Sequence, residues 1–190
     1  LNTDLNLDDT NNEFYNLGLA NEVFTISGGK KISSTTGKGL EMGSLSTAIS
    51  NTTNKYINEG EISVTGGSYT AAAVSRALSV SFGTIHNKHK ISVDRGVGAY
   101  GINGSSILND INADIDITEK GIGILAYASG NTLETKYGTD KKIKDGTLAA
   151  TDKVIEVENK GNITVAGEEG IGIYAELNNP SGTANFVRDN

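Results

Sequence analysis

The chain has 190 residues, a formal net charge of −7, 36% hydrophobic and 6% aromatic residues, 24 Gly, one Pro and no Cys. So few large apolar side chains argue against a thick globular core, and the acidic balance disfavours a nucleic-acid partner. The lack of cysteine excludes disulfides and thiolate-held zinc, and no run approaches the ~18–20 apolar residues of a membrane-spanning helix.

Residues 1–22 (LNTDLNLDDTNNEFYNLGLANE) are the least regular stretch. Leu1, Leu5, Leu7, Leu17 and Leu19 fit either an imperfect first coil or a cap over the end of a repeat array. From residue 23 to residue 190 a three-part unit recurs. Its first part is a short strand: Phe24-Thr25-Ile26, Lys55-Tyr56-Ile57, Gly83-Thr84-Ile85, Ser106-Ile107-Leu108 and Val154-Ile155-Glu156-Val157. A polar corner follows, as at Asn58-Glu59-Gly60, Asn87-Lys88-His89 and Asn159-Lys160-Gly161. The second part alternates apolar and polar residues, with Ile62/Val64, Ile91/Val93, Ile115/Ile117 and Ile163/Val165 on one face of a strand, and a looser copy at Ile32-Ser33-Ser34. The third part is Gly-apolar-Gly-apolar: Gly96–Ala99, Gly121–Ile124 and Gly170–Ile173, with weaker versions at Gly39–Met42 and Ala71–Val74.

Ile32, Ile62, Ile91, Ile115 and Ile163 are separated by 30, 29, 24 and 48 residues. The last gap is twice 24 and holds either a degenerate coil or one long excursion, at about residues 129–153. Such a period with short strands is a solenoid signature, because no unit can bury its own inward face and each needs neighbours stacked above and below. The expected fold is all-β: a right-handed parallel β-helix, a three-faced solenoid of about five to six coils, its hand taken from the preference of parallel crossovers. Ala184–Val187 reads as another first-part strand and Asp189–Asn190 as the next corner. That leads to the expectation that the chain is a fragment of a longer solenoid.

The repeated N-x-G-x-I-x-V followed by G-I-G-I-Y-A, clearest at Asn159–Ala175 and Gly121–Ala126, resembles the passenger domains of type V autotransporters, especially the fusobacterial-type, RadD-like outer-membrane adhesins. The resemblance spans roughly residues 21–190. It implies an extracellular passenger on a Gram-negative cell surface, anchored through a membrane β-barrel outside this chain. It also supports the right-handed helix.

Several motifs invite chemistry. Gly96–Gly101 matches G-x-G-x-x-G, and Gly121–Ala126 and Gly170–Ala175 match G-x-G-x-x-A. A dinucleotide site needs that motif once, between a strand and a helix; its recurrence in register favours structural glycines at outward positions of a narrow face. Asp114 and Asp116 flank Ile115 like the carboxylates of a polysaccharide lyase or hydrolase, but the equivalent positions in other coils add no clear third acid. His86 and His89 both read as corner residues, and a three-residue spacing alone does not hold a metal. The Gly pairs at 28–29 and 66–67 lack the Asp of calcium-binding repeats, and the three sequons at Asn51, Asn103 and Asn162 carry little weight. No cofactor, metal ligand set or catalytic residue is expected.

The most suggestive stretch for binding is Ser129–Lys153, where Lys136, Lys141, Lys142 and Lys144 surround Tyr137. Solenoid function usually resides in excursions from the rigid stack, so these five residues are the candidate partner contacts; the alternative is a tolerated insertion solvated by its lysines. Tyr100, Leu125 and Tyr174 take the same place in three coils, either as a sugar-stacking column or, preferably, as filling for the bend. The expected function is a non-enzymatic, monomeric adhesin segment that binds a host or bacterial cell-surface protein or glycan. A polysaccharide-degrading enzyme and an inert stalk are the rivals.

Overall fold

The computed structural model describes residues 1–9, 14–16, 23–42, 55–81, 83–102, 105–129, 156–167 and 169–178. The first repeat contributes β1 (Leu5–Asn6) and β2 (Phe14–Asn16), with a 3-10 turn at Leu7–Asp9 between them. The second holds β3 (Val23–Ile26), β4 (Lys31–Ser34) and β5 (Gly39–Met42), and the third β6 (Lys55–Asn58), β7 (Glu61–Val64) and β8 (Arg76–Ser81). The fourth has β9 (Thr84–Asn87) and β10 (Lys90–Ile102), and the fifth β11 (Ser106–Asn109) and β12 (Asp114–Ser129). The sixth holds β13 (Glu156–Asn159), β14 (Asn162–Val165) and β15 (Ile171–Asn178). No α-helix occurs among the described residues.

Every strand pairs in parallel with its equivalent in the neighbouring repeats. Three rows result. The first is β3-β6-β9-β11-β13, a separate five-stranded sheet. The second runs β1-β4-β7, through the leading halves of β10 and β12, to β14; the third runs β2-β5-β8, through their trailing halves, to β15. The chain is therefore an all-β protein of parallel rows, compatible with a β-solenoid. Residues 1–9 and 14–16 make an imperfect first repeat, since Leu5 pairs with Ile32 and Phe14 with Gly39.

Parallel register places like on like. The second row stacks Ile32, Ile62, Ile91, Ile115 and Ile163, and beside them Val64, Val93, Ile117 and Val165. The first row stacks Phe24, Tyr56, Ile85, Ile107 and Val157; Phe24 meets Tyr56 edge-on, ring centroids 6.0 Å apart. The third adds Leu40, Leu78, Ala99 and Ile124. Most of these side chains are fully buried, so a thin interior is filled by short aliphatic columns rather than aromatics. Ile115 pairs directly with Ile163, so the 48-residue gap is one step of the stack. Residues 130–155 lie outside the described residues, as does the expected strand at 184–187.

Two expected boundaries move. The asparagines assigned to polar corners, Asn58, Asn87 and Asn159, are the last residues of first-row strands, and Asn109 takes the same place in its repeat. Ala71–Val74 is not the third-row strand of its repeat; β8 takes that place, and Tyr69 bridges Val74 in a small antiparallel turn instead.

The four asparagines form an amide ladder, buried at Asn58, Asn87 and Asn109 and exposed at Asn159. Asn58 Nδ2 donates to Asn87 Oδ1 at 2.7 Å, Asn87 Nδ2 to Asn109 Oδ1 at 2.7 Å, and Asn109 Nδ2 to Asn159 Oδ1 at 2.8 Å. The same amides also donate to the carbonyls of Lys90, Asp114 and Asn162, which open the second-row strands. From the third repeat to the sixth, the ladder thus ties each repeat to the next and links first-row to second-row strands. A buried amide without such partners costs about 1–3 kcal/mol.

Charges on the outer surface repeat the device. Lys31 pairs with Glu61 at 2.9 Å, Lys88 with Glu59 at 3.1 Å and Lys90 with Asp116 at 3.6 Å; Arg95 pairs with Glu119 and Lys120 with Glu169. Each pair joins adjacent repeats, so a slip by one repeat sets like charges opposite one another. At the first repeat, the Asp8 carboxylate accepts from the hydroxyls of Thr35, Ser34 and Thr36 and from the Thr35 amide, and these bonds hold its pKa well below the ordinary aspartate range.

Replacing the middle rung, Asn87→Leu, strands the Asn58 amide N–H and the Asn109 carbonyl. It is expected to cost about 3 kcal/mol in equilibrium unfolding, whereas His89→Ala at the exposed corner stays within about 0.5 kcal/mol.

Candidate binding face

Between β7 and β8 the chain leaves the stack as a short hairpin. Ser68 N–H donates to Ser75 Oγ at 3.0 Å, Ser75 N–H to the Ser68 carbonyl at 2.8 Å, and Thr70 N–H to the Ala73 carbonyl at 2.9 Å. Its base is fastened to the fourth repeat: the amides of Gly66 and Gly67 donate to the Asp94 carboxylate at 2.7 and 3.0 Å. Gly66 has φ +70°, which glycine adopts without penalty. The Gly66-Gly67 pair therefore serves as an anion-binding nest already filled by a carboxylate of its own chain.

The hairpin leans over the outside of the third row. Tyr69, Ala71 and Val74 on the hairpin, with Val97, Ile122 and Leu125 on the sheet, line an open groove of about 420 Å³. Val97 and Ile122 are register partners in adjacent repeats, and Ile171 extends their column. Thr70 and Lys120 complete the lining, the Lys120 ammonium 6.0 Å from the Tyr69 ring centre. The groove is within the size range of ligand sites, roughly 300–1,000 Å³, and predominantly apolar. Its lining is hydrocarbon apart from the Tyr69 and Thr70 hydroxyls and the Lys120 ammonium.

Tyr100, Leu125 and Tyr174 align in register beside it, as the repeat pattern requires. Their environments differ. Tyr100 carries the Arg76 guanidinium over its ring, 4.6 Å from the centroid, and burial raises its hydroxyl pKa while Arg76 opposes the shift. Tyr174 is 40% exposed and donates to Glu176 at 2.7 Å; that bond and the carboxylate charge raise its pKa. One face of Tyr100 is thus taken by Arg76, and the column is not a uniform stacking surface.

The glycine motifs are packing devices. Gly96 and Gly121 have φ +133° and +152°, and a Cβ on them would lie 2.3 Å from the Ser75 carbonyl and 1.8 Å from the Gly96 carbonyl. The second glycines do not point outward as expected. A Cβ on Gly98 would meet Ile115 Cγ2 at 2.6 Å, and one on Gly123 would meet Ile163 Cγ2 at 2.4 Å, so both press against the interior isoleucine column. No helix follows either motif, and a phosphate-binding helix N-terminus is absent from these positions.

The remaining candidates are dispersed. Asp116 pairs with Lys90, and Asp114 accepts from Asn162 Nδ2 at 3.0 Å. His86 lies on β9 rather than in a corner, and its Nε2 is 3.2 Å from Asp110 Oδ2. The Ile111 amide and then His86 hold the Asp110 pKa below its ordinary value. Among the described residues no three His, Cys, Asp or Glu side chains converge as a metal site. Lys136, Tyr137, Lys141, Lys142 and Lys144 lie outside the described residues, as do Asn51 and Asn103. No family model, curated protein or solved structure matches the chain.

The glycine packing is directly testable. Gly123→Ala forces a methyl into Ile163 Cγ2 and the Gly172 carbonyl at 2.7 Å, while a methyl on Gly172 meets nothing within 4 Å. Gly123→Ala is expected to lower unfolding stability by about 1–3 kcal/mol, and Gly172→Ala to leave it within about 0.5 kcal/mol.

Proposed function

We propose that the chain is an adhesive segment of a bacterial cell-surface protein: a right-handed, three-faced parallel β-helix of the autotransporter-passenger type. In this reading it is monomeric, non-enzymatic and carried at the outer membrane by a β-barrel outside this chain. Its partner is a surface protein or glycan of a host cell or another bacterium. The observation that carries the reading is the contrast between its faces. The second row presents paired charges and hydroxyls, while the third presents an apolar groove beneath a hairpin that departs from the repeat. A structural spacer needs only the first kind of face; a groove lined by apolar side chains at a departure from the repeat supports a contact surface. The right hand follows the general preference of parallel crossovers.

Lys136, Tyr137, Lys141, Lys142 and Lys144 belong to the segment joined to the third row at Ser129, and they form the second proposed contact. Their cations suit an acidic partner and the Tyr137 ring a sugar face.

The test is binding of the 190-residue chain to host and partner bacterial cells, beside two variants, Lys136/Lys141/Lys142/Lys144→Ala and Leu125→Glu. Saturable binding is expected, weakened at least tenfold in one or both variants while circular dichroism stays unchanged. Absence of binding by the folded parent makes the segment a spacer. Turnover of an acidic or neutral glycan makes it an enzyme.

A further inference from the structure

We infer that the junction between the second and third repeats is a built-in seam, at which the described residues of the first two repeats (1–9, 14–16 and 23–42) open as a unit from the rest of the stack. Two buried polar atoms without a hydrogen-bond partner occur at this one junction: Asn58 Oδ1 and Tyr56 Oη. Both residues are fully buried, and both sit on β6, which pairs with β3 on one side and with β9 on the other.

The cause of each is visible in the register. Asn58 is the first rung of the amide ladder. Every later rung receives a donor from the repeat before it, but the slot before Asn58 is taken by Ile26. The ladder therefore has a direction, and its acceptor end stops against a hydrocarbon. Tyr56 occupies a column otherwise filled by Phe24, Ile85, Ile107 and Val157, so its ring packs and its hydroxyl meets no acceptor. Burial, with the Glu41 carboxylate adding to it, drives the Tyr56 pKa well above the ordinary tyrosine value. The phenol thus stays neutral and keeps a donor it cannot place.

Opening at this junction hydrates both atoms at once. At the next junction, by contrast, the amide ladder adds its rung: Asn58 to Asn87 at 2.7 Å, with a second bond to the Lys90 carbonyl at 3.1 Å. Free energy of opening in stacked repeats is set by each nearest-neighbour interface, so the interface with two stranded groups and no ladder rung separates before the ladder-bearing interfaces that follow it. The piece that leaves is coherent, because Asp8 clamps the first repeat to Ser34, Thr35 and Thr36 of the second. What it uncovers is the parallel edge of β6, β7 and β8, a template for pairing with an extended segment.

Hydrogen exchange of the 190-residue chain, read by mass spectrometry, tests the seam. Amides of residues 23–42 are expected to exchange at least tenfold faster than those of residues 84–102 and 114–128, and together rather than progressively. Tyr56→Phe removes the stranded hydroxyl without changing the ring. It should slow exchange of residues 23–42 severalfold and leave the later repeats unchanged. Ile26→Asn, which supplies the missing donor to Asn58, should act in the same direction. Equal protection across the repeats, or Tyr56→Phe leaving or hastening exchange of residues 23–42, overturns the proposal.

Discussion

The structure depends on a chain of side-chain amides held out of water. Asn58, Asn87 and Asn109 lie in a medium that supplies no solvent partner; each sends an Nδ2 proton to the amide carbonyl of the next repeat, and the row ends on the exposed Asn159. Backbone ladders between parallel strands tolerate displacement along the strand by two residues, since the pleat repeats. The amides do not, because a slipped Asn loses both its neighbour and the carbonyl at the start of the second-row strand. Aliphatic columns supply the driving force for stacking, but they are forgiving about position; the ladder makes one register preferred. The inter-repeat ion pairs act in the same sense at the surface, each weakly because it is exposed.

The same logic divides the molecule into parts that repeat and parts that do not. Wherever a side chain must fit between identical neighbours, the choice is narrow: Ile in the second-row column, Gly at 98 and 123 against it, Asn at the close of the first-row strands from β6 onward. The Ser68–Ser75 hairpin escapes that constraint. It packs on the outside of the third row, held by internal hydrogen bonds, the Asp94 clamp at its base and the Val97 amide, which donates to the Ser75 carbonyl at 2.8 Å. Departure from the repeat is therefore where a surface of distinct chemistry arises, without disturbing the stack that carries it.

Much of this was legible in the amino-acid order. Ile32, Ile62, Ile91 and Ile115 lie in one column as the alternation implies, and the three glycine-rich stretches fall in one row. The asparagines were misassigned to corners because Asn is ordinarily a turn residue. The clue was the apolar-x-Asn triplet at Tyr56–Asn58, Ile85–Asn87, Ile107–Asn109 and Val157–Asn159, which keeps strand periodicity and points Asn inward. The groove was less accessible, since Ala71–Val74 looks like a worn third-row strand and only the tertiary pairing of β8 displaces it. Inward glycines were misread because β10 and β12 bend near Gly96 and Gly121, and strict alternation fails across a bend.

The measurement that bears most directly on the amide ladder is the nuclear Overhauser spectrum of the asparagine side-chain amides. If the ladder orders the stack, the Nδ2 protons of Asn58, Asn87 and Asn109 exchange slowly with solvent, and each shows contacts to residues of the following repeat. Rapid exchange of those protons, with contacts only to sequence neighbours, would contradict it.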